Sequence, residues 1–464
     1  MDTLIQESPP EWAPFDPRYD PLHAAGPGHG RDYAPTYWVA TAGAPPPDDG
    51  PITGDADVDV AIIGAGYTGL SCAIFLAQEY GIKATVLEAN RVSWGCSSRN
   101  GGQAQNASGR LTRSGWIKRW GLDTALRMDA EVREGFDTFK TLIRTGNIDC
   151  DPQPGGHFYI AHRPSAMKNI RAEAQVLRDV FKYKVDVLDA ATLRREVVND
   201  AESHGAMHEP DGIGVHALKL AYGYLRMARG LGATVHPASP VVGWETRGGV
   251  HCLTTPGGTV RARAVGIATG AYTAPGLHPS LRQRYYPVLS NSLVTRPLTE
   301  QEEQACNFRT TEVLTDTRIL RFYYRRLPDG RVQIGSRSAI NGQDAPNPRH
   351  LQLLVNGLHR KFPALKGIPI DYSWWGWVDI SHDMMPRVFQ PDPEQAVYYA
   401  LGYGGNGVMY SAQAGRRMAE RIAGKTIGDL PIFSSPLPGH VFAPFRRIGQ
   451  HMLYGWYYLR DEIL

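Results

Sequence analysis

VDVAIIGAGYTGL, residues 58–70, is the stretch that decides the fold. An apolar, β-branched run ends in Gly-x-Gly-x-x-Gly, and an apolar-periodic segment then continues to Gly81. This order predicts a buried strand, a tight turn and a helix. Gly64 permits the turn, Gly66 lets the backbone approach a pyrophosphate, and Gly69 lets helix and strand pack closely. The sequence therefore predicts that phosphates bind at the N-terminus of this helix.

The residues after the helix complete a dinucleotide-binding unit. A second predicted strand, 84–87, ends in Glu88, where an acid accepts hydrogen bonds from an adenosine ribose. Arg91 lies close enough in sequence to meet a 2′-phosphate, but Glu88 argues against NADP as the main ligand. The Ser- and Gly-containing segment 93–104 is either a flexible loop or a second phosphate contact, and its position after the acid favours the contact.

Bulk composition restricts the classes of function. A length of 464 residues exceeds the usual ceiling for one hydrophobic core, so we expect two domains. The net charge is only +3, which gives no sign of nucleic-acid binding. Five scattered cysteines predict free thiols in a reducing compartment and no metal site. The first residues lack the features of a secretory signal, and no apolar run suits an integral membrane segment. We expect a cytoplasmic protein, monomer or homodimer.

The order of elements predicts an α/β protein with two interleaved domains. A Rossmann-like dinucleotide-binding domain takes 57–110, 205–280 and 393–430, because strand 260–268 ends in Ala-Thr-Gly and extends the same parallel sheet. An α+β substrate domain takes 111–204 and 281–392. Its strands include a hairpin around the turn at 328–330, which predicts a mostly antiparallel sheet. Residues 1–56 form an arm and linker, and 431–464 an aromatic, basic tail.

A second glycine-rich turn, 402–407, follows another predicted strand and begins the helix 409–422. It is either a second pyrophosphate site or a helix N-terminus aimed at a flavin ring, where it would stabilise the charge that develops on reduction. The tail at 435–464 is amphipathic. It docks either on a membrane or, more commonly for such helices, on the protein's own surface or a second subunit.

Together these motifs resemble the D-amino-acid oxidase (DAO) superfamily of FAD enzymes. The ordered set is Gly64-x-Gly66-x-x-Gly69 with Glu88, the segment 98–103, Ala268-Thr269-Gly270, Asp383-x-x-Pro386 and Gly402-x-Gly404-Gly405-x-Gly407. The segment Tyr37-Trp38 and the loop Asn-Gly-Gly-Gln at 100–103 look most like the γ-glutamylputrescine oxidase branch. The resemblance spans about residues 35 to 425.

This resemblance implies an enzyme that moves a hydride from an amine-bearing carbon to N5 of the flavin, after which the imine hydrolyses. It also implies the FAD contacts: Gly64, Gly66, Tyr67, Thr68, Gly69, Glu88, Ala89, Ser97, Ser98, Asn100, Gly101, Gly102, Gln103, Val242, Thr269, Gly270, Gly404, Gly405, Asn406, Gly407 and Val408. Residues expected around the small-molecule amine are His157, Tyr159, Arg321, Trp374, His382, Tyr403 and Asn406. His382 is either a catalytic or orienting group or a structural histidine, and the tryptophans 374, 375 and 377 are either pocket wall or core.

Three departures from the family pattern refine these expectations. Gln333 stands where the sarcosine-oxidase branch has a lysine associated with oxygen activation, so we expect Gln333 to border the catalytic site without that role. Gly376 replaces a cysteine that tethers the flavin, which implies non-covalent FAD. Met409 replaces a lysine that holds an α-carboxylate, and losing that clamp disfavours α-amino acids.

The sequence thus predicts an enzyme that oxidises the C–N bond of a γ-glutamylputrescine- or polyamine-like amine. Two alternatives remain open. One is an amino-acid dehydrogenase that passes electrons to a membrane acceptor, and the other is a flavin-binding protein with a non-amine substrate.

Overall fold

The computed structural model describes residues 12–462, in which three sheets and twelve α-helices carry the fold. The helices are α1 Tyr37–Thr41, α2 Tyr67–Tyr80, α3 Arg113–Trp120, α4 Leu122–Thr145, α5 Ala166–Asp179, α6 Ala190–Glu196, α7 Ala217–Gly230, α8 Glu300–Cys306, α9 Pro348–Lys361, α10 Gly407–Ile422, α11 Pro431–Ser434 and α12 Arg446–Glu462. The strands are β1 Ala56–Ile63, β2 Ala84–Leu87, β3 Gln103–Gln105, β4 Gln153–Pro154, β5 His157–Ile160, β6 Asp186–Asp189, β7 Gly205–Glu209, β8 Gly212–Gly214, β9 Thr234–His236, β10 Gly243–Arg247, β11 Val250–Thr255, β12 Gly258–Ile267, β13 Tyr285–Thr295, β14 Val313–Asp316, β15 Tyr323–Arg326, β16 Val332–Arg337, β17 Ile370–Ser381, β18 Arg387–Phe389 and β19 Val397–Leu401.

The first sheet contains the predicted dinucleotide-binding unit. Its order is β10-β11-β12-β1-β2-β9, and β19 adds to β12. The pairs that β1 makes with β12 and β2 are parallel, as are β12 with β19 and β2 with β9. The last four residues of β1 are buried, and α2 packs between this sheet and α10. Gly81 ends α2 in the left-handed conformation and donates its N–H to Ala77. These pairings confirm the parallel sheet predicted from residues 58–70.

The second sheet is mostly antiparallel, with the order β17-β13-β16-β15-β14-β5-β7-β6. Within residues 12–462 the parallel pair of this sheet is β14 with β5. The predicted hairpin is confirmed, since β15 and β16 pair antiparallel around the turn at 328–330. A small third sheet joins β3, β8 and β4. The predicted fold class, a Rossmann-like unit with a mostly antiparallel second sheet, is confirmed.

The predicted helical region 111–150 is divided into two helices. Gly121 has φ of +81° and ends α3, so α4 starts in a new direction. Residues that favour helix surround this glycine, which explains why a single helical region was predicted from periodicity. The break places α4 against α10.

Both ends of the described chain pack on the body of the protein. In the arm, Trp38 is buried and its indole N–H donates to the carbonyl of Asn100 at 2.8 Å. In the tail, Arg447 of α12 pairs with Asp20 at 2.9 Å. The opposite face of α12 is apolar and exposed, with Met452 at 73%. Residues 1–11 of the predicted arm and 463–464 of the tail lie outside the described residues. None of the helices within 12–462 is long and apolar enough to cross a membrane.

Candidate functional site

A cleft lies where the two large sheets meet. It is lined by both glycine-rich loops, by the segment after β2, by the residues that follow β12 and by part of β17. The predicted cofactor residues that line it are Gly64, Gly66, Tyr67, Thr68, Glu88, Ala89, Ser97, Asn100, Gly101, Gln103, Thr269, Gly270, Gly405, Asn406, Gly407 and Val408. Segments separated by more than 300 residues in the chain therefore meet at one site.

The first glycine loop has no room for side chains. Gly64 has φ of +105°, and a Cβ there would lie 2.7 Å from the carbonyl oxygen of Ala268. A Cβ on Gly66 would lie 3.0 Å from Oγ of Ser97, inside the cleft. A Cβ on Gly69 would lie 1.9 Å from the carbonyl oxygen of Gly64. Gly69 does not line the cleft; it lets α2 start directly under the turn, so that the N-terminus of the helix faces the cleft.

Glu88 lies at the end of β2 and faces the cleft. Its carboxylate accepts the N–H of Ala65 at 3.0 Å and that of Asn90 at 3.2 Å. Burial raises the pKa of Glu88 above its usual value, although these N–H groups act in the opposite direction. A carboxylate at the end of the second strand, beside the glycine turn, is the arrangement that recognises an adenosine ribose in dinucleotide-binding folds.

The loop after β2 contacts the first turn of α2. The hydroxyl oxygen of Ser97 accepts the N–H of Tyr67 at 3.1 Å. The Asn100 side chain accepts the N–H of Gly102 at 2.8 Å, which holds the loop in shape. Ser98 does not reach the cleft, because its hydroxyl donates to the carbonyl of Trp94 at 3.0 Å. Gly102 does not line the cleft either.

The second glycine loop lies next to the first one in the cleft wall. Oη of Tyr403 lies 2.8 Å from Oγ1 of Thr68, so a side-chain hydrogen bond links the two glycine-rich loops directly. The Asn406 amide donates to the carbonyl of Gly109. Gly404 is turned away from the cleft and donates its N–H to the carbonyl of Asp379 at 2.7 Å. Helix α10 starts at Gly407, so its positive end faces the cleft.

Asp379 is a cleft residue that the sequence did not indicate. Its side chain is 5% exposed, and its Oδ2 accepts the N–H of Gly402. Its Oδ1 has no hydrogen-bond partner among residues 12–462. Burial raises its pKa to about 6. A buried carboxyl oxygen without a partner beside a cleft is an acceptor available to a ligand.

Three arginines line the end of the cleft near the second sheet. They are Arg110, Arg321 and Arg337, and only Arg321 was predicted. Thr315 and Tyr323 lie beside them in the lining. No short motif distinguishes the unpredicted residues from ordinary polar residues in the chain, so only the assembled structure reveals them.

Two predicted substrate residues lie behind the cleft wall. His157 is buried, with Nδ1 at 2.9 Å from Glu209 and Nε2 at 2.6 Å from Oγ1 of Thr315. It therefore reaches the cleft only through Thr315, and it holds the pKa of Glu209 below the usual value although burial acts to raise that pKa. The ring of Tyr159 lies 5.6 Å from the guanidinium carbon of Arg321 and supports that side chain.

Trp374 is part of the core, not of the cleft lining. It is 2% exposed, and its indole N–H donates to the carbonyl of Arg99 at 2.8 Å. Of the two interpretations of these tryptophans, the core is what the structure shows for Trp374. Val242 also lies outside the cleft, since it is 67% exposed and its neighbour Val241 lines the site instead.

His382 and Gln333 are not in the cleft, so we do not retain them as catalytic candidates. The ring of His382 stacks on His440 at 5.4 Å and contacts the carbonyl of Gln283. Gln333 is fully buried and accepts a hydrogen bond from Arg325 at 3.4 Å. Both side chains contact residues outside the cleft, and their positions in the sequence do not reveal this.

The chemistry of this lining fits a flavin dinucleotide. Gly66 leaves a space at the helix N-terminus that a Cβ would fill, as a pyrophosphate requires. Glu88 supplies the acceptor for a ribose, and Asp379 offers a free acceptor at the far end. Gly376 also lines the cleft and brings no nucleophile to it.

Comparison with known proteins agrees with this geometry. Residues 59–421 match the family model described as FAD dependent oxidoreductase (DAO). The chain is 31% identical over 438 residues to gamma-glutamylputrescine oxidoreductase of Escherichia coli (strain K12), covering 93% of this chain and 99% of that protein.

Solved structures show the same fold at lower identity. The crystal structure of glycine oxidase from Geobacillus kaustophilus has a TM-score of 0.67 at 21% identity, covering 83% of this chain and all of that one. The structure of L-proline dehydrogenase from P. horikoshii has a TM-score of 0.65 at 18% identity, covering 82% of this chain and 96% of that one.

Proposed function

Because this chain belongs to the DAO family of FAD-dependent oxidoreductases, we propose that it oxidises the C–N bond of an amine similar to γ-glutamylputrescine. The family membership establishes an FAD enzyme that acts on CH–NH bonds of amines or amino acids. The narrower substrate is our proposal, and the 31% identical relative over nearly its whole length supports it.

The observation that carries the proposal is the hydrogen bond between Tyr403 and Thr68. It joins the phosphate-binding end of the cleft to the second glycine loop, so one ligand can span both. Bound there, FAD supplies the acceptor for the hydride, and the protein's part is to bind, orient and tune it. The α2 N-terminus and Glu88 would hold its ADP half, and the positive end of α10 would stabilise negative charge on its ring.

The position of Met409 argues for an amine without an adjacent carboxylate. Its side chain is 1% exposed and packs in the core, so no charged group reaches the cleft from this position. α-Amino acids would therefore lack a carboxylate contact here, whereas an amine with a distant carboxylate would not need one.

We further propose that FAD is held without a covalent bond. Gly376 has no side chain to form one. Cys96 is the cysteine that lines the cleft among the described residues, and burial raises the pKa of its thiol to about 11. A thiol that stays protonated is a poor nucleophile.

An anaerobic screen tests the proposed function. Purified holoprotein is mixed with γ-glutamylputrescine, simple diamines, glycine, sarcosine and D-alanine, and loss of flavin absorbance is followed. We expect γ-glutamylputrescine-like amines to bleach the flavin with a rate constant at least about tenfold above that of the α-amino acids, a difference of about 1.4 kcal/mol in barrier. Preference for glycine, sarcosine or D-alanine would refute the proposal. Repeating the reaction with oxygen and with artificial dyes identifies the acceptor.

A further inference from the structure

We propose that Arg110, Arg321 and Arg337 form a carboxylate-binding site, so that the substrate is an amine that carries a carboxylate remote from its reacting carbon. This inference rests on the proposed function and narrows its substrate class. It excludes simple diamines and polyamines, which are purely cationic, as the preferred substrates. We call these three residues the arginine cluster.

The arginine cluster converges on one region of the cleft. Nη2 of Arg337 lies 3.2 Å and Nη1 of Arg110 lies 3.9 Å from the point where a Cβ on Gly405 would stand. Arg321 lines the same cleft, and its guanidinium is supported from behind by the ring of Tyr159. Burial lowers the pKa of Arg110 well below its usual range, and the charges of Arg321 and Arg337 lower it further. The three positive charges therefore act on one another.

No acid of the described chain neutralises this charge. The arginine cluster makes no ion pair within residues 12–462, and its one side-chain hydrogen bond runs from Arg110 to the carbonyl of Ile319 at 3.5 Å. Nε of Arg321 is buried without a partner in the same range. The acids of the cleft lining are Glu88, at the ADP end, and Asp379, which accepts the N–H of Gly402.

Another arginine of the same sheet region shows what a fully paired guanidinium looks like here. Arg318 contacts Asp316 at 2.6 Å, Glu202 at 3.0 Å and Glu462 at 2.7 Å. Buried charges in folded proteins are normally paired in this way, because an unpaired charge costs several kcal/mol of desolvation. The three arginines of the cluster are partly buried and lack such partners among residues 12–462, and at the lining of a cleft a bound anion would supply one.

The fold holds the arginine cluster in place from outside. Asp461 of α12 accepts the N–H groups of Ile319 at 2.7 Å and Leu320 at 3.1 Å, which fixes the segment that leads into Arg321. Tyr454, also on α12, lies near Arg110 and Arg337. Burial raises the pKa of Tyr454, and the charges of the two arginines partly oppose that rise. Helix α12 thus packs behind the arginine cluster and holds the segment before Arg321 in place.

The chemistry selects a carboxylate as the ligand. A guanidinium presents two parallel N–H donors whose spacing matches the two oxygens of a carboxylate. Three such groups stabilise more than one negative oxygen, whereas a cationic chain end would be repelled. An amine with its carboxylate at the far end would place the anion on the arginine cluster and leave the neutral amine free for oxidation.

Matched substrates test this inference. A carboxylate-bearing amine and its primary carboxamide, identical in every other atom, are compared by flavin reduction. We expect the carboxylate form to have a kcat/KM about 10- to 100-fold higher, mainly through KM, as expected for hydrogen bonds to a charged group. In Arg321→Met this preference should fall to about twofold or less, and Arg321→Lys should keep part of it. Arg349→Met, at an exposed position of helix α9, is the control that should keep the full preference. Equal rates for the two substrates would overturn the inference.

A binding titration gives a second readout that does not need turnover. A dicarboxylate without an amine is titrated into holoprotein while the flavin spectrum is recorded, and inorganic phosphate is titrated in parallel. We expect the dicarboxylate to bind and Arg321→Met to weaken it about tenfold or more. No spectral change, or tighter binding of phosphate, would refute the carboxylate assignment.

The two proposals fail in different ways. If no amine reduces the flavin while the dicarboxylate still binds, the proposed function fails and the arginine cluster stands. If diamines and carboxamides are oxidised as well as carboxylates, the proposed function stands and the carboxylate inference fails. Flavin content and thermal midpoint of each variant, measured first, establish that Arg321→Met is folded.

Discussion

Replacing Asp379 with asparagine is expected to stabilise the protein, and to stabilise it more at alkaline than at acidic pH. Asp379 is almost completely buried, and one backbone N–H, from Gly402, is the donor to its carboxylate among the described residues. Burial therefore outweighs that hydrogen bond and raises its pKa from 3.8 to about 6. Asparagine has the same shape, can accept the same N–H and carries no charge.

The size of the effect follows from this change in pKa. Below pH 3.8 the carboxyl group is protonated in both the folded and the unfolded chain, so it has no effect on stability. Between 3.8 and about 6 only the folded chain holds the proton, so stability falls as the pH rises. Above about pH 6 the full loss of unfolding free energy is present. The ionised Asp379 then lowers the free energy of unfolding by about 3 kcal/mol near pH 8, and by about 1 kcal/mol near pH 4.5, where the effect is only partly developed.

Thermal unfolding of flavin-free protein measures this difference. For a chain of 464 residues, about 3 kcal/mol corresponds to a rise of about 3 °C in Tm near pH 8, and to about 1 °C near pH 4.5. Asp59→Asn is a control, because it removes a carboxylate that is 72% exposed, and its effect should be small at both pH values. A Tm for Asp379→Asn that is unchanged, or that shifts equally at both pH values, would show that the buried carboxylate is not destabilising.

Three further outcomes are expected at the cofactor end of the cleft. Gly69→Ala should abolish retention of flavin on gel filtration, because its Cβ would lie 1.9 Å from the carbonyl oxygen of Gly64. The control Gly230→Ala, at a helix end with open space around it, should retain flavin. Equal retention of flavin by the two variants would refute the packing argument. Glu88→Ala should weaken FAD binding to the apoprotein about 10- to 100-fold, the effect of losing hydrogen bonds to a carboxylate, and an unchanged Kd would remove Glu88 from the site. Acid precipitation should leave a colourless pellet and a yellow supernatant, in wild type and in Cys96→Ser alike, whereas colour in the pellet would indicate a covalent bond.

The sequence was most informative where function depends on local geometry. The turn at Gly64 needs a positive φ, and a helix that starts directly under it needs Gly69, so the requirement is visible in a dozen consecutive residues. The strand before the turn and the acid at Glu88 complete the same unit. Likewise the turn at 328–330 determined a hairpin, because its residues favour that backbone conformation.

Residues that meet across the fold could not be predicted in this way. From the sequence, His382 beside Asp383 was either a catalytic or orienting group or a structural histidine; in the fold it follows β17 away from the cleft and stacks on His440. Arg337, at the end of β16, faces the cleft because of how the second sheet pairs. In a sheet, a shift of one residue in pairing moves every side chain to the opposite face.

The sequence by itself therefore determined the dinucleotide-binding unit and the fold class, because strand, turn and helix propensities act over neighbouring residues. Only the tertiary structure brought Arg110, Arg321 and Arg337 together and left them without a carboxylate among the described residues. The three arginines lie close together because of how the second sheet pairs and how α12 packs on it. The strands concerned are β5, β14, β15 and β16. Contacts over such separations depend on the packing of the whole domain, which no local pattern of residues encodes.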